Sequence, residues 1–438
     1  MTDTIVIGAG VAGLAAAAEL AREGHASAVL EARDRIGGRC WSLDGMVRAV
    51  PIELGAEFVH GRAEPTMQVL QRAGIPSVDA PEARWLSVRG RLQTGNGLFE
   101  ELLHAFARAR ALRKQDISFA EFLARQSSRT LSAPARQMAL MMVEGLDGAD
   151  PVRVSAREII EEWGGDSVAG EQARPLGGYR EVVGALRESV PSSVDLRLEA
   201  VVDAVRWRTG NVLVEGRGQG GALFNLHAKR LIVTVPLGVL QQKSGDTGAI
   251  RFDPPLAAKQ QALERLVSGP VIKLVMRFRS AFWERIAGGR YRGAAFFHNA
   301  AGRIPTFWTA LPVRLPILVA WAGGPKAHAL AGHERTQLVE VALQDLRQMF
   351  KVRARFDEVL QASWFHDWQA DPYARGAYSY VAVGGASARR LLARPLEDTL
   401  FFAGEATDFS GEAATVAGAI ASGVRAAREV LESDVQRR

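Results

Sequence analysis

The chain has 438 residues, 47% of them hydrophobic and 23% charged, and a formal net charge of +6. Its length exceeds the size at which a single core stops growing, so two domains are expected, and the composition excludes a disordered or fibrous protein. One cysteine, Cys40, excludes an intramolecular disulfide framework. Only seven basic residues are lysines, and the arginines are scattered (Arg22, Arg33, Arg84) instead of gathered with aromatics, so no nucleic-acid partner is expected. No run reaches the roughly 20 apolar residues of a membrane span. The first strand starts at Thr4, which leaves no room for a leader peptide, and we expect a cytoplasmic protein without membrane contact.

That first strand, Thr4-Ile5-Val6-Ile7, runs into Gly8-Ala9-Gly10-Val11-Ala12-Gly13, an alanine-rich helix, and a second strand, Ala28-Val29-Leu30, ending at Glu31. This is a dinucleotide-binding βαβ fingerprint in its expected context. Gly8 makes the tight turn, Gly10 lets backbone approach a pyrophosphate, and Gly13 lets the helix pack on the strand. The pyrophosphate sits at the positive helix end beside Ala12, and Glu31, roughly 20 residues on, holds the adenosine ribose hydroxyls. The glycines alone leave NAD and FAD both open. The continuation Glu31-Ala32-Arg33-Asp34-Arg35-Ile36-Gly37-Gly38-Arg39 adds a second glycine pair and an arginine, which suits a pyrophosphate gripped from two sides. Ala32, Arg33, Gly38 and Arg39 join the candidate cofactor contacts.

From Phe99 to Trp163 apolar residues recur at three- and four-residue spacing, which reads as helices. Met138, Met141 and Met142 form a stripe that could line a cavity, although such a stripe more often packs in a core. Short strands follow at Leu196-Leu198, Val201-Trp207, Val212-Glu215 and Leu231-Val235, the last cut by Pro236. After Pro254-Pro255 come a helix, the long strand Val271-Phe278, and further strand–helix alternation to Phe356. The chain closes with Thr399-Leu400-Phe401-Phe402-Ala403-Gly404-Glu405 and a helix of small residues from Thr415. This order implies a nucleotide-binding domain built from separated segments, 1–75, 175–255 and 365–438. A substrate-binding domain of mixed sheet and helices, 76–174 and 256–364, is inserted between them.

Lys273 stands in Val271-Ile272-Lys273-Leu274-Val275, an otherwise apolar strand. Period-2 alternation puts it on one face with Val271 and Val275, which argues against a solvent-facing lysine. Lysine is almost never buried unpaired, because desolvating an ammonium costs several kcal/mol, so a functional task is expected. A second cluster, Trp364 to Tyr380, carries Trp368, Tyr373, Tyr378 and Tyr380 around Arg375-Gly376. That density suits a stacked, partly wet pocket better than a plain core. No Cys/His metal spacing, Gly-x-Ser-x-Gly elbow or Gly-Lys-Ser/Thr phosphate loop is present, so no metal site is expected.

The N-terminal signature and these clusters together resemble the flavin amine oxidase superfamily over nearly the whole chain. The resemblance implies an α/β fold with an FAD-binding, Rossmann-like (GR2-type) domain. Glu53-Leu54-Gly55-Ala56-Glu57-Phe58-Val59-His60-Gly61 looks like the stretch that passes the isoalloxazine ring, with His60 matching the active-site histidine of polyamine oxidases. Val202 stands where relatives hold adenine with backbone groups. In the family a lysine at the place of Lys273 bonds through a water to flavin N5. By the same match Trp368 and Tyr373 flank the ring, and Tyr378 forms a wall of the substrate's aromatic cage, whose electron-rich face suits an amine. Monoamine oxidases carry a flavin-bearing cysteine where this chain has Ala377, which implies a non-covalent flavin. Gly404-Glu405 resembles the ribityl and pyrophosphate turn. The helix at Thr415-Val416 would aim its amides at flavin N1 and O2. Thr415 replaces the second cage tyrosine of monoamine oxidases. The mitochondrial membrane anchor of some members is not expected here.

The activity implied is oxidation of an amine by FAD, with hydride passing to N5, imine hydrolysis to an aldehyde, and oxygen reduced to hydrogen peroxide. Lys273, Tyr378, His60 and Thr415 are the candidate catalytic residues. His60 and the Arg-Gly-Ala-Tyr-Ser-Tyr run lean towards polyamines or secondary amines, with Glu57, Glu82, Glu144 and Asp147 as candidates to hold a distal ammonium. Partners are then a small amine and oxygen, with the protein a monomer or homodimer. A primary monoamine oxidase remains a rival. So do a C–C dehydrogenating flavoenzyme of the desaturase or porphyrinogen oxidase kind and a non-catalytic flavin-binding protein. Histone demethylation is disfavoured, since the chain has no room for the extra module and long helical insertion of those enzymes.

Overall fold

The computed structural model describes residues 2–47, 49–88, 90–94, 98–107, 112, 115–164, 172–352 and 355–435. A five-stranded parallel sheet is assembled in the order Asp195–Arg197, Ser27–Leu30, Thr4–Ile7, Arg230–Val233, Leu400–Phe402. Its inner strands read as short unbroken buried runs, as expected for a parallel sheet covered on both faces. On one face lie the helices Val11–Arg22, Tyr179–Glu188 and Val416–Val435. The first and last of these are rich in small residues because their backbones nearly touch: a Cβ on Gly423 would lie 2.2 Å from the Ala12 carbonyl oxygen. The other face is covered by a four-stranded sheet that includes Val201–Arg208 and Asn211–Arg217.

A second, seven-stranded sheet runs in the order Leu360–Phe365, Val271–Phe278, Ile317–Gly323, Thr306–Thr309, Phe296–His298, Arg84–Val88, Arg91–Thr94. Its two faces differ. Ile272, Leu274, Met276 and Phe278 pack into a core with the helix Arg335–Phe350. Val275 and Trp308 join Ile52 and Leu54 on the opposite face. Strand alternation puts Lys273 on that second face. Helices Leu98–Ala107, Phe119–Arg125, Ala133–Gly145 and Ala156–Trp163 form a separate lobe around Phe106, Phe119 and Trp163. Three of them start at serines (Ser118, Ser132, Ser155) whose hydroxyls accept the amide three residues on. A two-stranded antiparallel pair, Leu266–Gly269 with Tyr378–Val381, sets Tyr378 opposite Gly269. No described helix is long and apolar enough to cross a membrane.

The observed helices and strands agree with the sequence reading along most of the chain. It did not anticipate the hairpin Ser42–Val47 with Val50–Glu53, the strand Leu223–Ala228, or Leu266–Gly269. The first hairpin alternates weakly and is half exposed, so its residues carry little periodic signal.

Candidate active site

One continuous cavity of about 1300 Å³ runs from the C-terminal ends of the parallel strands to the cavity-facing side of the seven-stranded sheet. This is where open α/β sheets place ligands. The turn Gly8–Gly13 forms one end. A Cβ on Gly13 would lie 1.9 Å from the Gly8 carbonyl oxygen, so only glycine lets the helix start this close to the strand. Gly13 accordingly lies behind the wall, whereas Gly8, Gly10 and Ala12 line it. Gly10 is the N-cap and offers no side chain to the first helical amides, which stay available to an anion. Glu31 accepts from Ala9 N at 2.8 Å and Arg33 N at 3.0 Å, fixing a buried carboxylate at the end of the second strand. Val202, at a bulge in its strand, lines the same end with Ala32 and Tyr373.

Arg33 donates to Asp371 Oδ1 at 2.7 Å and lies 5.5 Å from the Tyr373 ring centroid. Arg39 donates to Glu405 Oε1 at 2.9 Å and to the Ala377 carbonyl at 2.6 Å. These two arginines therefore tie the N-terminal segment to the segment 365–405. Glu405 Oε2 also accepts from Ser379 N and Oγ. Burial would raise its carboxyl, but Arg39 and Arg389 outweigh that and hold it low. Gly38, Gly404 and Val416 complete this wall. The closing helix spans Val416–Val435, and Thr415 Oγ1 caps it by accepting from Gly418 N at 3.1 Å while donating to Glu412 O at 2.7 Å. The Thr415 hydroxyl is thus committed to backbone, and what it offers the cavity is chiefly the helix start.

At the far end Gly55, Ala56, Lys273, Trp368 and Tyr378 share the cavity wall. Trp368 is held edge-on by an Nε1 bond to the Leu54 carbonyl at 2.8 Å. The Tyr378 hydroxyl donates to Leu146 O at 2.8 Å, and burial pushes its phenol well above the usual range, so the ring acts as a wall and not a base. Lys273 is 2% exposed. Its Nζ donates to the Gly55 carbonyl at 2.9 Å and pairs with Glu57 Oε2 at 2.8 Å. Glu57 Oε1 in turn accepts from Arg174 at 3.0 Å and from Trp308 Nε1 at 2.9 Å. Burial would raise the Glu57 carboxyl, but Lys273 and Arg174 keep it lowered.

Phe58 and His60 open a side chamber. Phe58 lies 5.9 Å from Phe296 and 5.7 Å from Trp308, centroid to centroid, and His298 stacks parallel to Phe296 at 6.0 Å. Burial, reinforced by Arg84, lowers His60 to about 4 and His298 to about 3, so both imidazoles are neutral at pH 7. Against the opposite wall, buried Asp147 takes Trp163 Nε1 on Oδ1 at 3.4 Å, and no donor among the described residues reaches its Oδ2. Burial and neighbouring Glu162 raise Asp147, and burial raises Glu162 and lifts Glu158 to about 7.

Several expectations need correction. The methionine stripe lines the cavity: Met138, Met141 and Met142 all face it, because the helix Ala133–Gly145 lies at the lobe's inner edge. Glu57 is occupied by Lys273, Arg174 and Trp308 and is not available to a distal ammonium. Glu82 lines the cavity but is exposed, and Glu144 is not among the lining residues, which leaves Asp147 as the buried, cavity-lining acid of the remaining three. Arg174, Trp308, His298, Glu158 and Glu162 were not anticipated. Glu158 and Glu162, four apart in a segment read as helix, carried a readable signal. The others come from strands remote in sequence and carried none. Among the described residues no group of three or more His, Cys, Asp or Glu could hold a metal.

The chain is similar to several known proteins over nearly its whole length. Lysine-specific histone demethylase 2 of Homo sapiens is 28% identical over 475 residues, 98% of this chain but 53% of its own length. The chain thus spans about half of that relative. Polyamine oxidase 3 of Oryza sativa subsp. japonica is 28% identical over 467 residues, covering 98% of this chain and 88% of that protein. A wild-type putrescine oxidase bound to putrescine superposes with a TM-score of 0.79 at 23% identity, covering 100% of this chain and 99% of the other. Cyclohexylamine oxidase from Brevibacterium oxydans IH-35A gives 0.79 at 22%, covering 99% of each. These superpositions establish the fold, an FAD-type α/β domain joined to a substrate domain. Residues 11–431 match the family described as flavin containing amine oxidoreductase, and the chain belongs to that family.

Proposed function

We propose that the chain is an oxidase that dehydrogenates a small amine with non-covalently bound FAD. One observation carries the reading. The Gly8–Gly13 turn, the start of the helix Val416–Val435, the buried Lys273 ammonium and the Tyr378 phenol wall all open on one cavity. The residues fit the cofactor: uncapped amides follow Gly10, a capped helix begins at Val416, and Ala377 offers no thiol for a covalent link. When bound, FAD supplies a two-electron oxidant that takes a hydride from the amine α-carbon and passes the electrons to oxygen, giving hydrogen peroxide.

The protein's own groups bind and orient. Trp368 and Tyr373 would flank the ring, with Trp368 fixed by the Leu54 carbonyl. Amides at Val416 and Ala417 would face the charge that develops on reduction. Tyr378 would wall the bound amine, and His60, neutral at pH 7, would be able to accept a hydrogen bond from it. Lys273 would hold an N–H towards the ring edge. No strong base is required, because the amine reacts as the neutral form and the imine released is hydrolysed by water.

The leaning to polyamines or secondary amines is supported by the acidic cluster of Asp147, Glu158 and Glu162 on the cavity wall, which suits a second ammonium. The aromatic chamber of Phe58, Phe296 and Trp308 favours a second reading, a primary arylalkyl monoamine. Anaerobic stopped-flow bleaching with spermidine, spermine, their acetylated forms and an arylalkylamine separates the two. Fast bleaching by the arylalkylamine alone would replace the polyamine reading.

A further inference from the structure

We propose that Glu57 is the positioning residue of Lys273: its carboxylate, itself gripped by Arg174 and Trp308, fixes the lysine ammonium at the ring end of the cavity. The task given to Lys273 rests on the amine-oxidase reading, whereas the ion pair stands on its own geometry.

The Lys273 side chain is 2% exposed and that of Glu57 12%, so their 2.8 Å contact is shielded from water. An ammonium has three donors. One goes to the Gly55 carbonyl at 2.9 Å and one to Glu57 Oε2; the Trp308 ring centroid lies 5.7 Å from Nζ, and no third hydrogen-bond acceptor is present among the described residues. The remaining N–H is the one left for the cavity. Glu57 cannot follow the lysine if it moves, because Oε1 is held by Arg174 and Trp308 Nε1. Arg174 is anchored in turn, donating to Leu311 O at 2.6 Å and Thr309 O at 3.1 Å, with its guanidinium 4.2 Å from the Phe58 ring centroid. The clamp therefore joins three stretches, Gly55–Phe58, the strand Gln172–Pro175 and the strand Thr306–Thr309, on a lysine from a fourth. It also balances charge. Both cations meet at this carboxylate, and although buried Glu53 also acts on Lys273, without Glu57 no charge would stand between Lys273 and Arg174. With glutamine at 57, an amide N–H would point at Nζ, leaving Gly55 O as the only fixed acceptor.

The test uses FAD-loaded protein reduced chemically, with no amine, and then mixed with oxygen. Two electrons and two protons pass from reduced flavin to O₂, giving hydrogen peroxide, and the returning yellow colour gives the rate. Glu57→Gln should slow reoxidation about tenfold, Lys273→Met at least as much, and the double variant no more than Lys273→Met alone. Thermal unfolding of the four apoproteins gives a readout free of flavin, in which the double variant should lose less than the sum of the singles. Trp308→Phe, which frees one bond to Glu57 and keeps an aromatic ring, should slow reoxidation a few-fold in the parent and not at all beside Lys273→Met. Reoxidation in Glu57→Gln at or above the parent rate would overturn the proposal, as would losses that multiply in the double variant. Bleaching of the parent by amines is a separate measurement, so failure of the amine reading is told apart from failure of this one.

Discussion

Replacing Gly10 with valine should separate cofactor binding from folding. Gly10 has φ −69° and ψ 176°, an extended conformation that any residue adopts, and a Cβ built there meets no protein atom within 4 Å. The new side chain would project only into the cavity, where the pyrophosphate approaches the first helical amides. The apoprotein should keep its stability to within about 0.5 kcal/mol. Removing close backbone contact to a doubly charged group costs several charge-assisted hydrogen bonds of about 1.5–3 kcal/mol each, so FAD affinity should fall by at least about 100-fold. The assay is thermal unfolding with and without added FAD, beside a fluorescence titration. At an FAD concentration of about 1,000 times its dissociation constant the parent should gain about 4 kcal/mol, and the variant less than half of that. Gly13→Ala is the contrast, since its Cβ would collide with the Gly8 carbonyl and the fold itself should suffer. A Gly10→Val protein that takes up FAD like the parent would refute the assignment of this turn.

Tyr378→Phe removes the hydroxyl bond to Leu146 O but keeps the wall, so thermal unfolding should show a loss of about 1 kcal/mol with amine-driven bleaching slowed only a few-fold. Tyr378→Ala should slow bleaching far more. Asp147→Asn should raise the half-saturating concentration of diamines and polyamines by about tenfold or more in bleaching experiments, leaving monoamines unaffected. His60 is lowered to about 4 in the fold from an ordinary 6.5. The unfolded chain therefore binds more protons between those values, and stability should fall as pH drops through that window, by up to about 3 kcal/mol from this group. His60→Gln should flatten the loss in denaturant titrations from pH 7 to 4.

What the sequence made legible was what depends on local pattern. The turn at Gly8–Gly13 and the acid at Glu31 carry their meaning in fixed spacing. Lys273 could be assigned to a buried face because a strand alternates strictly and its neighbours Val271 and Val275 are apolar. A helix gives less: the spacing of Met138, Met141 and Met142 fixes which face they share, but a face against core and a face against a cavity read alike. The Glu57 clamp was out of reach, since Arg174 and Trp308 lie 117 and 251 residues away and meet the carboxylate only once both sheets are assembled. Thr415 shows a further limit. Its position on the cavity was readable, but the commitment of its hydroxyl to Glu412 O and Gly418 N depends on where the helix starts.

The claim at the centre of this account is met most directly by anaerobic mixing of the yellow protein with a panel of amines, followed by air. The account predicts that at least one amine bleaches the flavin to completion, that its aldehyde appears, and that air restores the colour with one hydrogen peroxide formed per flavin. Full retention of the yellow colour with every amine, in a protein that dithionite still reduces, would contradict it.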